Sequence, residues 1–147
     1  MVFGIKERGG RVRTVHVPDA KGTTLRPIIL SNTRPGTTLM TDISHAYTQM
    51  RKHMRHETVN HHIEYVKLGT DIHTQGIEGY WSILKRGING TFHHVGVGYL
   101  GQYLHEFDFR FNSRKVTDAE RFASLMGQTQ GRLEWFCHTD QPENPFA

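Results

Sequence analysis

The apolar residues of this chain change period repeatedly, from two to about 3.6 and back, and that order constrains the fold more than any other feature. Val2-Phe3-Gly4-Ile5, then Val12, Val15 and Val17, read as two strands of a hairpin around Gly9-Gly10. Leu25, Ile28 and Ile29 follow at i, i+3 and i+4, which predicts a helix capped by Thr23 or Thr24, with Pro27 in its first turn. Beyond the Pro35-Gly36 turn, Thr37-Thr38-Leu39-Met40-Thr41 reads as a short buried strand ending at Asp42. Ser44 can cap a helix whose apolar face is Tyr47, Met50 and Met54. Glu57-Thr58-Val59-Asn60 is a strand candidate, and Ile63, Tyr65 and Val66 continue in extended or irregular form. Residues 71–86 predict a helix on Ile77, Trp81, Leu84 and Ile88, and Gly90 to His94 a loop. Leu100, Tyr103, Leu104, Phe107 and Phe111 make another amphipathic helix. A last one opens on the capping box Thr117-Asp118-Ala119-Glu120 and stops at Gly127.

A hairpin feeding strand–helix–strand units predicts an α/β fold, a mixed sheet flanked by helices, with extra helices at the C-terminal end. Residues 1–115 are expected to form the main domain, 116–139 a helical extension and 140–147, with Pro142 and Pro145, a disordered tail. With 36% hydrophobic and 22% charged residues in 147, the chain is neither intrinsically disordered nor fibrous. No apolar run is long enough for a bilayer and no signal peptide is visible, so a soluble cytoplasmic protein without a membrane partner is expected. Cys137 stands alone, which excludes an internal disulfide and a multi-cysteine zinc site. The net charge of +4 is uneven: residues 1–67 carry +6 and residues 68–147 carry −2. A basic half suits a polyanion such as DNA, or is simply a solvated surface.

Several residues could carry chemistry. Asp42 closes an apolar strand, where open α/β sheets place their sites; an aspartate beside a helix start is its ordinary reading. Glu78, Ser82 and Lys85 share one helical stripe beside the apolar one, since seven residues come within about 20° of two turns. A solvated helix face explains that stripe equally. Lys85-Arg86 and the group Arg110, Arg114 and Lys115 are candidate phosphate contacts. The run from Glu106 to Lys115 interleaves aromatic with basic residues, as a base-stacking surface does, although Phe107 and Phe111 fall at core spacing. Histidines cluster at His53, His56, His61 and His62 and again at His93 and His94. Surface roles suit most of them, some against phosphate, and a His-rich metal nuclease using His61, His62, His93 and His94 is one alternative. There is no phosphate-binding glycine loop and no nucleophile elbow, so no small-molecule substrate is implied.

Together these residues resemble the C-terminal part of the ISXO-type insertion-sequence transposases, a branch of the DDE transposases. The resemblance runs in order from about residue 2 to 115. It rests on Val2 to Arg8, Thr41-Asp42 with Ala46-Tyr47, His56 with Val59-Asn60-His61, His73-Thr74 and the block Ile77 to Arg86. It continues in Gly90-Thr91-Phe92-His93, Tyr103-Leu104, Glu106-Phe107 and Arg110-Phe111-Asn112. The resemblance implies a ribonuclease H-like core, metal-dependent cleavage of transposon ends and strand transfer, with DNA as partner. It makes Asp42 and Glu78, with 35 residues between them, the second and third catalytic carboxylates and ligands of two Mg²⁺ (or Mn²⁺) ions. Lys85, with Arg86, His93, Arg110, Arg114 and Lys115, would contact DNA. The first aspartate and its strand belong upstream of Val2, since Glu7 and Asp19 do not fit that place. The expectation is a truncated, catalytically inactive transposase domain, with a homodimer covering the vacant edge as a possible partner. The alternative of another class is a non-enzymatic DNA- or partner-binding remnant.

Overall fold

The computed structural model describes residues 1–59 and 73–128. Strands β1 (Val2–Lys6) and β2 (Val12–His16) form the expected antiparallel hairpin, with Val2 opposite His16 and Lys6 opposite Val12. Gly9 takes φ +66° in the connection, a conformation open to glycine at no steric cost. Helix α1 (Gly22–Ser31) follows, then β3 (Thr38–Asp42), a 3₁₀ helix (His45–Lys52) and β4 (Arg55–Val59). β3 and β4 are parallel, with Leu39 opposite His56 and Asp42 opposite Val59. A parallel pair needs a crossover of about a dozen residues, and here the 3₁₀ segment supplies it. Helix α2 (Gln75–Gly87) runs into a π turn (Ile88–Phe92), and helices α3 (Leu100–Asn112) and α4 (Asp118–Met126) complete the order.

The class is mixed α/β, but the single mixed sheet expected from the sequence is not formed among the described residues. Two separate two-stranded sheets stand in its place, β1–β2 and β3–β4. Bonds from Val17 N to Met1 O and from Glu7 N to Arg11 O fix the hairpin ladder. By the alternation of an antiparallel pair, Val2 and Gly4 aim their peptide groups away from β2. The outer edge of β2 is closed by side chains of α3 rather than by a strand. Asn112 accepts from Val12 N (2.7 Å) and donates to Val12 O (2.8 Å), as a neighbouring peptide unit would. Asp108 accepts from Thr14 N (2.7 Å).

Two clusters form the core. Val12, Tyr80, Leu84, Leu104 and Phe107 join β2, α2 and α3, with Ile77, Trp81, Ile88 and Phe111 packed against them. Val17, Leu25, Ile29 and Met50 gather α1 and the 3₁₀ helix, flanked by Phe3 and Ile5 from β1 and Leu39 from β3. Close approach explains two glycines. A Cβ on Gly4 would lie 2.7 Å from the Trp81 ring, and one on Gly87 would collide with Phe107.

Local details differ from the sequence expectation where tertiary bonds intervene. Helix α1 starts after Lys21, with no side-chain cap; neither Thr23 nor Thr24 fills that role. Asp19 orders the entry instead, accepting from Lys21 N and from the Thr24 hydroxyl (2.6 Å). Pro27 consequently sits inside the helix, beyond its first turn. Ser44 does cap, but the segment winds as a 3₁₀ helix that ends before Met54. The loop expected at Gly90 to His94 is in its first half the π turn continuing α2. The capping box is formed as read, with Thr117 and Glu120 bonded reciprocally. The chain divides into a unit Met1–Arg114 and a unit from Lys115 onward, α4 lying in the second. The expectations for Asn60 to Val66, for the start of a helix at Asp71 and for the tail at 140–147 lie outside the described residues.

Candidate functional site

Asp42 is the last residue of β3 and is solvent-exposed. Its setting is a small polar group built by the β3–β4 register. Because Leu39 faces His56, the next residue on the same side of β3, Thr41, reaches the His56 ring at Nε2 (2.9 Å). The Thr41 hydroxyl also donates to the Asp42 carbonyl (2.8 Å), so the strand end is tied down one residue before the carboxylate. Tyr47 packs edge-on to His56, centroids 6.4 Å apart. Burial, then the negative charge of Asp42, pushes the Tyr47 phenol above its ordinary range.

His56 is a functional candidate the sequence underrated. Surface or polar-contact roles suit most of these histidines, yet only 9% of His56 is exposed, and its Nδ1 is buried without a hydrogen-bond partner among the described residues. Burial, followed by the Arg51 charge, lowers its pKa, while Glu57 opposes weakly. A lowered histidine pKa means that the unfolded chain binds the proton more readily. The neutral ring therefore contributes its full stability above about pH 6.5, and this is lost as pH falls toward the lower folded value. We expect acid titration between about pH 7 and 5 to destabilise the protein, and His56→Gln to remove that component of the pH dependence. Chemical denaturation across this range checks it; an unchanged pH profile in the variant refutes it. At neutral pH, His56→Ala should cost about 1–3 kcal/mol, since the Thr41 hydroxyl loses a partner in a buried setting.

Glu78 stands in the first turn of α2, half-buried, and accepts from the Thr74 hydroxyl four residues earlier (2.8 Å). Ser82 and Lys85 are exposed along the same stripe, and Arg86 follows in the last turn. The alternation within Ile77 to Lys85 is now explained. Tyr80 and Leu84 are buried, with Ile77 and Trp81 packed against them, while Glu78, Ser82 and Lys85 lie off the core. Tyr80 is the central residue that periodicity missed: it is fully buried, and its hydroxyl donates to Asp108 (2.6 Å).

The remaining candidates are dispersed. His93 is exposed, follows the π turn and takes φ +57°, the one positive φ outside glycine among the described residues. Arg110 is bonded to Glu106. Arg114 lies 3.9 Å above the Phe111 ring and donates to the Phe111 carbonyl (2.6 Å). Lys115 is exposed at the start of the second unit. Phe107 is core, as its spacing indicated.

The ion pair that a two-metal clamp holds requires several converging anionic ligands. No hydrogen bond or ion pair joins Asp42 to Glu78, and no three His, Cys, Asp or Glu among the described residues come together as a metal-binding group. The described residues do not fit such a clamp. His93 and His94 likewise find no third ligand there, while His61 and His62 lie outside the described residues.

No helix among the described residues is long and apolar enough to cross a membrane. No solved structure matches this chain. A Haemophilus influenzae protein described as an uncharacterized transposase-like protein is 28% identical over 107 residues, which cover 72% of this chain and 85% of that protein. The model of the ISXO2-like transposase domain matches residues 1–112, a span that runs from the start of the hairpin to the asparagine closing its outer edge. The chain belongs to the ISXO2-like transposase family.

Proposed function

We propose that this chain is a DDE-type transposase domain with ribonuclease H-like connectivity that binds DNA and, by itself, does not cut or join it. The observation that carries this reading is the family match over residues 1–112, which contains Asp42 at a strand end and Glu78 with Lys85 on one helix stripe. Asp42 and Glu78 are the second and third carboxylates of the reaction, and magnesium or manganese is the metal the intact site takes. Lys85, Arg86, His93, Arg110, Arg114 and Lys115 contribute phosphate contacts that position DNA without reading sequence. We place the protein in the cytoplasm with its DNA partner. Among the described residues no third metal-ligating side chain joins Asp42 and Glu78, which supports a binding role.

Binding to duplex DNA should be weak, nearly indifferent to sequence and steeply dependent on salt. With about five phosphate contacts, affinity for duplex DNA should fall roughly 10²–10³-fold between about 50 and 200 mM salt. Lys85→Ala should reduce the slope of log K against log salt by about one. Fluorescence anisotropy over a salt series measures both, and absence of duplex binding at low ionic strength refutes the proposal.

The outward peptide groups of Val2 and Gly4 also suit strand pairing with a second copy. A dimer is therefore the expected species in light scattering at micromolar concentration. Val2→Pro, which removes one outward N–H without placing a new Cβ against Trp81, should shift it to monomer, and a wild-type monomer at all concentrations refutes this.

A further inference from the structure

The π turn and the first half of α3 border an open groove of about 400 Å³, within the size range of ligand clefts. It is lined by Phe92, Tyr99, Gln102, Tyr103 and Glu106, three rings and two hydrogen-bonding side chains with no aliphatic group among them. Tyr99, Gln102, Tyr103 and Glu106 recur at i, i+3, i+4 and i+7, one stripe of α3. Phe92 meets Tyr103 edge-on, centroids 4.7 Å apart. Tyr99 remains 64% exposed. The side chains of Tyr99, Gln102 and Tyr103 make no hydrogen bond among the described residues. Glu106 is the acidic member of the lining, and it is neutralised by Arg110, whose exposed guanidinium adds a cation beside the groove. Directly after Phe92 comes His93, exposed and held at positive φ, a strained conformation of the sort that persists where a site requires it.

Each class of occupant makes different demands. A protein helix needs an aliphatic counter-surface, which this lining lacks. A free anion would meet the Glu106 carboxylate. A flat heteroaromatic ring satisfies all the groups at once: it stacks on tyrosine, and its polar edge meets the Gln102 amide and a carboxylate acceptor. An attached phosphate reaches Arg110 or His93. Bases within a duplex are already stacked and paired, so only an unpaired one can enter. We infer that the groove binds one unpaired nucleobase of a DNA strand, stacked against Tyr99. The inference rests on the DNA-binding reading above and adds to it a preference for single-stranded DNA at a defined place.

The test uses a DNA oligonucleotide carrying 2-aminopurine, offered single-stranded and as a full duplex to the whole chain. Stacking should quench the fluorophore in the single strand. Tyr99→Ala should weaken single-strand binding about tenfold and leave duplex affinity unchanged, while Tyr99→Phe keeps the ring and the affinity. Tyr99 is exposed, so neither change removes a core contact. Equal single-strand affinity in wild type and Tyr99→Ala overturns the inference, even where duplex binding persists. Tighter binding of an RNA of the same sequence overturns the assignment to DNA. Loss of duplex binding with single-strand quenching intact instead overturns the phosphate-contact reading and supports the groove.

Discussion

Asp108→Ala is expected to remove a large part of the stability of the Met1–Arg114 unit. The Asp108 carboxylate accepts from Thr14 N (2.7 Å), from the Thr14 hydroxyl (3.0 Å) and from the Tyr80 hydroxyl (2.6 Å). Tyr80 is fully buried and Thr14 is 4% exposed, while Asp108 is half-buried, so water reaches the lost acceptor's place from one side only. Burial, and then the bond to Asp108, raises the Tyr80 phenol far above its ordinary range, so it stays a neutral donor throughout neutral pH. Each buried donor left without a partner costs about 1–3 kcal/mol, which for three donors approaches the whole net stability of a small domain, about 5–15 kcal/mol. Tyr80→Phe removes a single donor and keeps the ring, so it should cost only about 1 kcal/mol. Urea denaturation followed by tryptophan fluorescence reports on this directly, since Trp81 packs on Tyr80 at 5.4 Å. A loss of less than about 1 kcal/mol in Asp108→Ala would show that the carboxylate network is incidental.

That network also marks the boundary of what the sequence makes legible. The hairpin, α1, β3, α2, α3 and the Thr117 capping box are local events, written in apolar period and in residues a few places apart. Asp108 and Asn112, by contrast, read locally as polar positions on an amphipathic helix. Their work is done on Thr14 and Val12, 94 and 100 residues away, and no local pattern records such a contact. The same holds for His56, whose burial follows from the pairing of β4 with β3 and from Tyr47 over it. The division of the sheet was unreadable for a related reason: strand order depends on which edges meet, and β1 and β3 each pair on one side within their own sheets.

The candidate site was legible in a different way. A fixed helical period sets Glu78 and Lys85 apart from the apolar stripe, and the structure keeps them off the core. Asp42 is marked by its place at a strand end. Periodicity alone could not choose between a reactive stripe and a solvated one, and the resemblance made that choice. The matched segments divide into two kinds. Tyr80, Trp81 and Asn112 hold the fold together, while Asp42, Lys85 and His93 stand in solvent, where packing does not explain their identity.

Strand transfer by this chain alone is expected to be undetectable with magnesium and with manganese. Two carboxylates give too few anionic ligands to fix two ions on the attacking and leaving oxygens, and the described residues supply no third. Loss of one such electrostatic contribution is worth roughly 3–4 kcal/mol in a transition state, or about 10²–10³ in rate. Loss of ligand positioning adds to it. A chain extended ahead of Val2 by a β-strand carrying an aspartate should gain metal-dependent joining of a labelled transposon end. In that extended chain, Asp42→Ala and Glu78→Gln should each abolish the gain, whereas Lys85→Ala should weaken end binding with a smaller effect on turnover. In the chain as it stands, the same three substitutions should change no rate, since there is none to lose. Metal-dependent joining by the unextended chain, abolished by Asp42→Ala, would overturn this account, because the two carboxylates would then suffice for the reaction.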